Sequence, residues 1–158
     1  MNINKETAKK LYSESPGWFR EQLEAEFGAD YLDPNYWENI KTLDDACAKL
    51  KIDFSELINE YDTPDERAYK MLKIIIRAIN TDRSGKTWVP DFQNGDQKKW
   101  YPWFRVLSSG LGFSTSLCTY GHSAATVGAR LCFQTQEQSD YAATQFINLY
   151  EQFLIVKM

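Results

Sequence analysis

Residues 97–105 read Gln-Lys-Lys-Trp-Tyr-Pro-Trp-Phe-Arg, four aromatic rings within five positions and three cations around them. Indole and phenol rings offer flat faces on which bases or sugars stack, while ammonium and guanidinium groups take phosphates or hydroxyls. Alternation along an extended chain sorts the stretch into two faces. Trp100, Pro102, Phe104 and Val106 form the core-like one; Lys99, Tyr101, Trp103 and Arg105 form the amphipathic one. Arg130, further along the chain, is placed to join the second set, so Tyr101, Trp103, Arg105 and Arg130 are the candidate ligand- or partner-binding residues. Pro102 cannot donate a ladder hydrogen bond, which predicts an edge strand or a bulge. The competing reading is that these rings are simply core, since a small domain needs bulky residues where helix meets sheet.

A second cluster lies upstream. In RAYKMLKIIIRAIN the cations Arg67, Lys70, Lys73 and Arg77 fall within a sector of about 120° at 100° per residue, leaving the rest of the helix apolar. These four are the candidate nucleic-acid contacts of an alternative reading, in which single-stranded nucleic acid is the partner. Other chemistry is poorly supplied. The one histidine, His122, sits in a Tyr-Gly-His-Ser turn without a nucleophile motif or a second histidine, which argues against catalysis and against a multi-histidine metal site. Cys47, Cys118 and Cys132 are odd in number and far apart, which suggests reduced, packed thiols instead of disulfides or zinc ligands. Gly-Leu-Gly at 110–112 lacks the third glycine and the Lys-Ser/Thr of a phosphate loop and reads as part of a hairpin turn. The carboxylates cluster as solvated helix faces, as in EQLEAE. The expectation is therefore a protein that is not an enzyme and takes no cofactor and no metal.

The elements that must position these residues follow from length and pattern. The chain has 158 residues, 43% hydrophobic and 25% charged, which predicts one ordered domain spanning 1–158. Residues 1–62 carry a net charge of −7 and residues 67–105 one of +6; either the two pack together or the basic part faces a polyanion. Residues 1–62 read as an acidic helical part. It comprises a polar helix over 5–12, a helix opened by Ser15-Pro16 and closed at Gly28 with Trp18, Phe19, Leu23 and Phe27 in one stripe, and a helical pair capped by Thr42–Asp45 and by Asp53. The second helix of that pair, FSELINEYD, has three acids and no cation, which opposes a DNA-reading helix-turn-helix. Thr63-Pro-Asp-Glu66 starts the long basic-edged helix. The period then shifts to near two, predicting four strands, TWVPDF, KWYPWFRVL, LGFSTSLCTY and ATVGARLCF, the last alternating Val127, Ala129, Leu131 and Phe133 toward the core. Thr135–Gln138 caps a final helix through about Leu154 whose stripe, Ala142, Phe146, Leu149, Tyr150 and Phe153, would lie across the sheet. The fold class is thus α+β: N-terminal helices, an antiparallel sheet of about four strands, and a C-terminal helix packed on it. With a polar N-terminus and no apolar run of about eighteen residues, a cytoplasmic protein without a membrane partner is expected.

The segments KTLDDACAKL, YKMLKIIIRAIN, WVPDF, KKWYPWFR, SGLGFS, GARLCF and QFINLYEQF together resemble an uncharacterised family of small proteins from gut Bacteroidetes and their phages or integrated elements, over most of the chain from Lys41 to Phe153. WYPWFR and GARLCF are the most specific pieces. The resemblance implies a phage or mobile-element context and carries over no catalytic residue. The leading expectation is a non-enzymatic binding or protein-interaction domain with a protein partner. The alternatives are single-stranded nucleic-acid binding and carbohydrate or cell-surface recognition.

Overall fold

The computed structural model describes residues 3–119 and 130–155, and these divide into two compact units, 1–36 and 37–158. In the first unit, α1 (Lys5–Tyr12), α2 (Gly17–Phe27) and α3 (Ala29–Leu32) surround a small cluster of Ala8, Leu23 and Leu32, with Phe19 and Phe27 against it. Asn4 caps α1 by accepting from Thr7 N–H at 2.8 Å. Ser15 does not cap α2 as expected; its hydroxyl donates back to the Leu11 carbonyl, and Pro16 occupies the cap position. Nor does Trp18 share the buried stripe, being 65% exposed. Phe19, Leu23 and Phe27 span about 80° of the helix, and Trp18 lies about 100° outside them. Gly28, with φ +85°, ends α2 in a conformation that favours glycine.

The second unit is built around α5. Preceding it, α4 (Leu43–Leu50) starts on a full capping box between Thr42 and Asp45. The helix expected after Asp53 shrinks to a 3₁₀ turn, Phe54–Glu56. Beyond it, side chains take the backbone donors that a helix would use: Asp62 accepts from Asn59 N–H at 2.8 Å and Asn59 from Tyr61 N–H at 3.1 Å. Then α5 (Pro64–Ile79) opens on a capping box between Thr63 and Glu66 and buries Leu72, Ile75, Ile76 and Ile79. It packs against α4 on one side and α7 (Ile147–Leu154) on the other. As the pattern of cations required, Arg67, Lys73 and Arg77 are exposed along one edge.

The described residues contain one two-stranded antiparallel sheet, β1 (Lys99–Leu107) and β2 (Gly110–Thr119), with Trp100 opposite Cys118 and Trp103 opposite Thr115. The class is α+β, but the expectation of about four strands is not met. TWVPDF is irregular, with Thr87 in a single bridge to Thr81 and Pro90 unable to continue a ladder. Of the fourth expected strand, Val127 and Ala129 lie outside the described residues, and Arg130–Cys132 is non-strand chain leading to one bridge between Phe133 and Trp100. The register shifts between Trp103 and Phe104, where β2 carries one extra residue, Ser114, as a bulge.

The single C-terminal helix expected over 135–154 is two. Between α6 (Gln136–Gln145) and α7, Phe146 leaves helical geometry at φ −112°, ψ 27°. The break lets α6 lie on both strands while α7 meets α5 and β2. Leu72, Ile75, Phe133, Ala142, Phe146 and Tyr150 form the core that results, with Trp100 and Phe104 packed against it. Two side chains of the interleaved stretch are placed differently from expectation. Lys99, assigned to the amphipathic face, is fully buried, its ammonium donating to the carbonyls of Gln97 at 2.9 Å and Asn94 at 3.3 Å and lying over the Phe92 ring. Val106, assigned to the core, is 76% exposed, although Leu111 opposite it packs against the core and donates its N–H to Glu151 of α7 at 3.3 Å.

Candidate functional site

Asn80, immediately after α5, organises a concave feature of the second unit. Its backbone carbonyl accepts from Trp88 N–H at 2.8 Å, tethering the Thr87–Pro90 segment to the helix end. Its buried side-chain amide donates to the Cys132 carbonyl at 2.8 Å and accepts from Gln134 N–H at 3.2 Å. Gln138 adds a bond to the Ile79 carbonyl at 3.1 Å. The Thr87–Pro90 segment and the distant 132–138 stretch are thereby fixed around one helix terminus, beside which lies an open groove of about 430 Å³.

The groove is lined by Lys73, Ile76, Arg77 and Asn80 from the α5 end, by Thr87, Trp88, Val89 and Pro90 from the tethered segment, and by Arg130. Lys73 and Arg77 stand four residues apart and therefore on one helix face. The Lys73 ammonium lies 5.0 Å from the centre of the Tyr69 ring. Among the described residues no carboxylate lines the groove, and none of its three cations is paired with one.

The sequence-derived candidates are thus regrouped. Lys73 and Arg77 come together with Arg130, which had been assigned to the sheet set. Arg67 is exposed on the same edge of α5, nearer its start, and does not line the groove. Lys70 is taken up by Asp62 in an ion pair at 2.6 Å; Asn59 N–H and the Lys70 ammonium hold the Asp62 carboxyl below its ordinary value. On β1, Trp103 is 58% exposed and Arg105 is exposed beside it. Tyr101 is half-buried and turned toward Cys132. Burial pushes the Cys132 thiol up to about 11, opposed by the Tyr101 hydrogen bond and the nearby Lys99 charge. The expected amphipathic face is therefore divided, Lys99 and Tyr101 serving the interior and Trp103 and Arg105 facing solvent.

All three cysteines are free thiols. Among the described residues no group of three potential metal ligands occurs, and no helix is long and apolar enough to cross a membrane. His122 lies outside the described residues. Two residues central to the groove, Trp88 and Asn80, were not among the candidates. Asn80 reads locally as the end of a helix and Trp88 as one residue of an assumed strand; the Val-Pro that follows Trp88 is the only local signal against that strand.

No family model matches the chain, and no curated protein or solved structure is significantly similar to it.

Proposed function

We propose that the protein is a binding domain that captures an anionic ligand in the groove between α5, Trp88 and Arg130. One observation carries this reading: Lys73, Arg77 and Arg130, drawn from two distant stretches of sequence, converge on a concave surface that no carboxylate among the described residues lines. Like charges held together without counter-charges focus a positive potential, and an anion entering the groove relieves their repulsion. Both arginines bring planar forks suited to phosphate or carboxylate oxygens.

Tripolyphosphate is a suitable probe. A ligand that binds only the folded protein stabilises it by about 2.7 kcal/mol at one hundred times its dissociation constant. The thermal midpoint should therefore rise with tripolyphosphate in the wild type and hardly move in an Arg77→Ala, Arg130→Ala double variant. Equal rises in both proteins would refute the assignment.

A second reading rests on the hairpin. Trp103, Leu107 and Leu117 are all large, apolar and 45% exposed or more; alternation and pairing put them on one face of the hairpin, and such a cluster is a surface that a protein partner can cover. Trp103 and Arg105 would be its anchors, since Trp and Arg are enriched among the residues that dominate interfaces.

A further inference from the structure

We infer that the groove's ligand is single-stranded nucleic acid, with one base stacked on Trp88 and the adjoining phosphates on Lys73, Arg77 and Arg130. This rests on the reading of the groove as an anion site and adds to it the class of anion. The walls decide the class. Apart from its cations, the groove is bounded largely by Ile76, Trp88, Val89 and Pro90, which an inorganic anion has no use for. A nucleotide unit presents an anionic oxygen cluster joined to a flat apolar ring, and stacking on an indole accepts any base because every base has a π face. A sulfated sugar chain offers charge without that ring. The groove is also open along the surface instead of closed around a ligand, and the basic edge continues past it: Arg67 is exposed six residues before Lys73, about 9 Å along the helix axis. A strand can run from the groove along that edge. A free mononucleotide uses only its first part.

The test uses the full chain and a fluorescein-labelled twelve-nucleotide oligo-dT or oligo-U, followed by anisotropy. Three phosphate contacts on a single strand give a salt slope near −2, so affinity should weaken roughly twentyfold between 50 and 200 mM salt. Trp88→Leu retains every cation and, through its backbone N–H, the bond to Asn80; it should lose about 5- to 150-fold in oligonucleotide affinity, the range that stacking of one base covers. Its tripolyphosphate affinity should not change. Should that variant fold poorly by circular dichroism, Arg130→Gln on the exposed turn replaces it, with the salt slope expected to fall by about 0.7. Tripolyphosphate binding without oligonucleotide binding, or wild-type oligonucleotide affinity in Trp88→Leu, overturns the inference and leaves the anion site standing. Failure to bind either probe removes both. Thymidine monophosphate bound as tightly as the twelve-mer overturns the strand in favour of a free nucleotide. A heparin fragment bound more tightly than the oligonucleotide, and indifferent to Trp88, overturns nucleic acid as the class.

Discussion

Trp103 and Phe104 are consecutive residues of similar size in β1, and strand alternation, unbroken on this strand, gives them opposite duties. The Phe104 ring lies 4.8 Å from that of Tyr150 and 6.1 Å from that of Phe113, centre to centre, so Phe104→Ala should cost about 3–5 kcal/mol, measured as a shift of the urea midpoint. Trp103→Ala should change stability by less than about 1 kcal/mol, the range of exposed positions. A comparable loss in both would mean that the solvent-facing ring is structural. Cys132 yields a pH dependence. Burial favours its neutral thiol and raises its pKa from near 9 to about 11. The folded state then holds the proton more tightly than the unfolded one, so this contribution is complete below about pH 9 and is lost as pH rises toward 11. The difference in thermal midpoint between wild type and Cys132→Ala should accordingly shrink across that interval, whatever other groups titrate in both proteins.

Elements were legible from the chain wherever their signals are local. The capping boxes at Thr42–Asp45, Thr63–Glu66 and Thr135–Gln138 lie within four residues and open the helices they predict. The readings that failed depend on contacts across the chain. The break at Phe146 lies inside a continuous apolar stripe, and only the need to meet two partners separates α6 from α7. Lys99 obeys the alternation of its strand, yet the 91–97 loop folds over it. The regrouping of Arg130 depends on Asn80, some fifty residues away in sequence. Period and propensity carry no information about such a pairing. Asn80→Ala should therefore have two effects together: a loss of about 2–4 kcal/mol from two backbone groups left unpaired, seen by urea denaturation, and a weaker tripolyphosphate affinity as Arg130 is released. Full stability with weakened binding would point to a direct contact with the ligand instead.

At the scale of the molecule, the two hydrophobic clusters share no member: one draws only on residues up to Leu32 and the other only on residues from Trp37 onward. Every residue of the groove belongs to the second unit. A fragment of residues 37–158 should thus unfold cooperatively and bind tripolyphosphate within about twofold of the full chain at 150 mM salt, where charges beyond roughly 8 Å are screened. Loss of cooperative unfolding would show instead that the first 36 residues complete the fold. Charge asymmetry along the chain anticipated a basic surface in the middle of the sequence, but not which of its cations would be spent internally: Lys70 on Asp62 and Lys99 on backbone carbonyls.

Enclosed Lys99 has a consequence for chemical labelling. Acylating reagents attack an amine only through its free, accessible lone pair, and this nitrogen is covered by the 91–97 loop, whose carbonyls hold its protons and whose Phe92 ring lies against it. Exposed Lys73 and Lys98 are open to the reagent in the folded protein, whereas Lys99 can be modified only in molecules whose loop has lifted. Its acylation rate is therefore a clock for that opening, at the foot of the hairpin that carries Trp103.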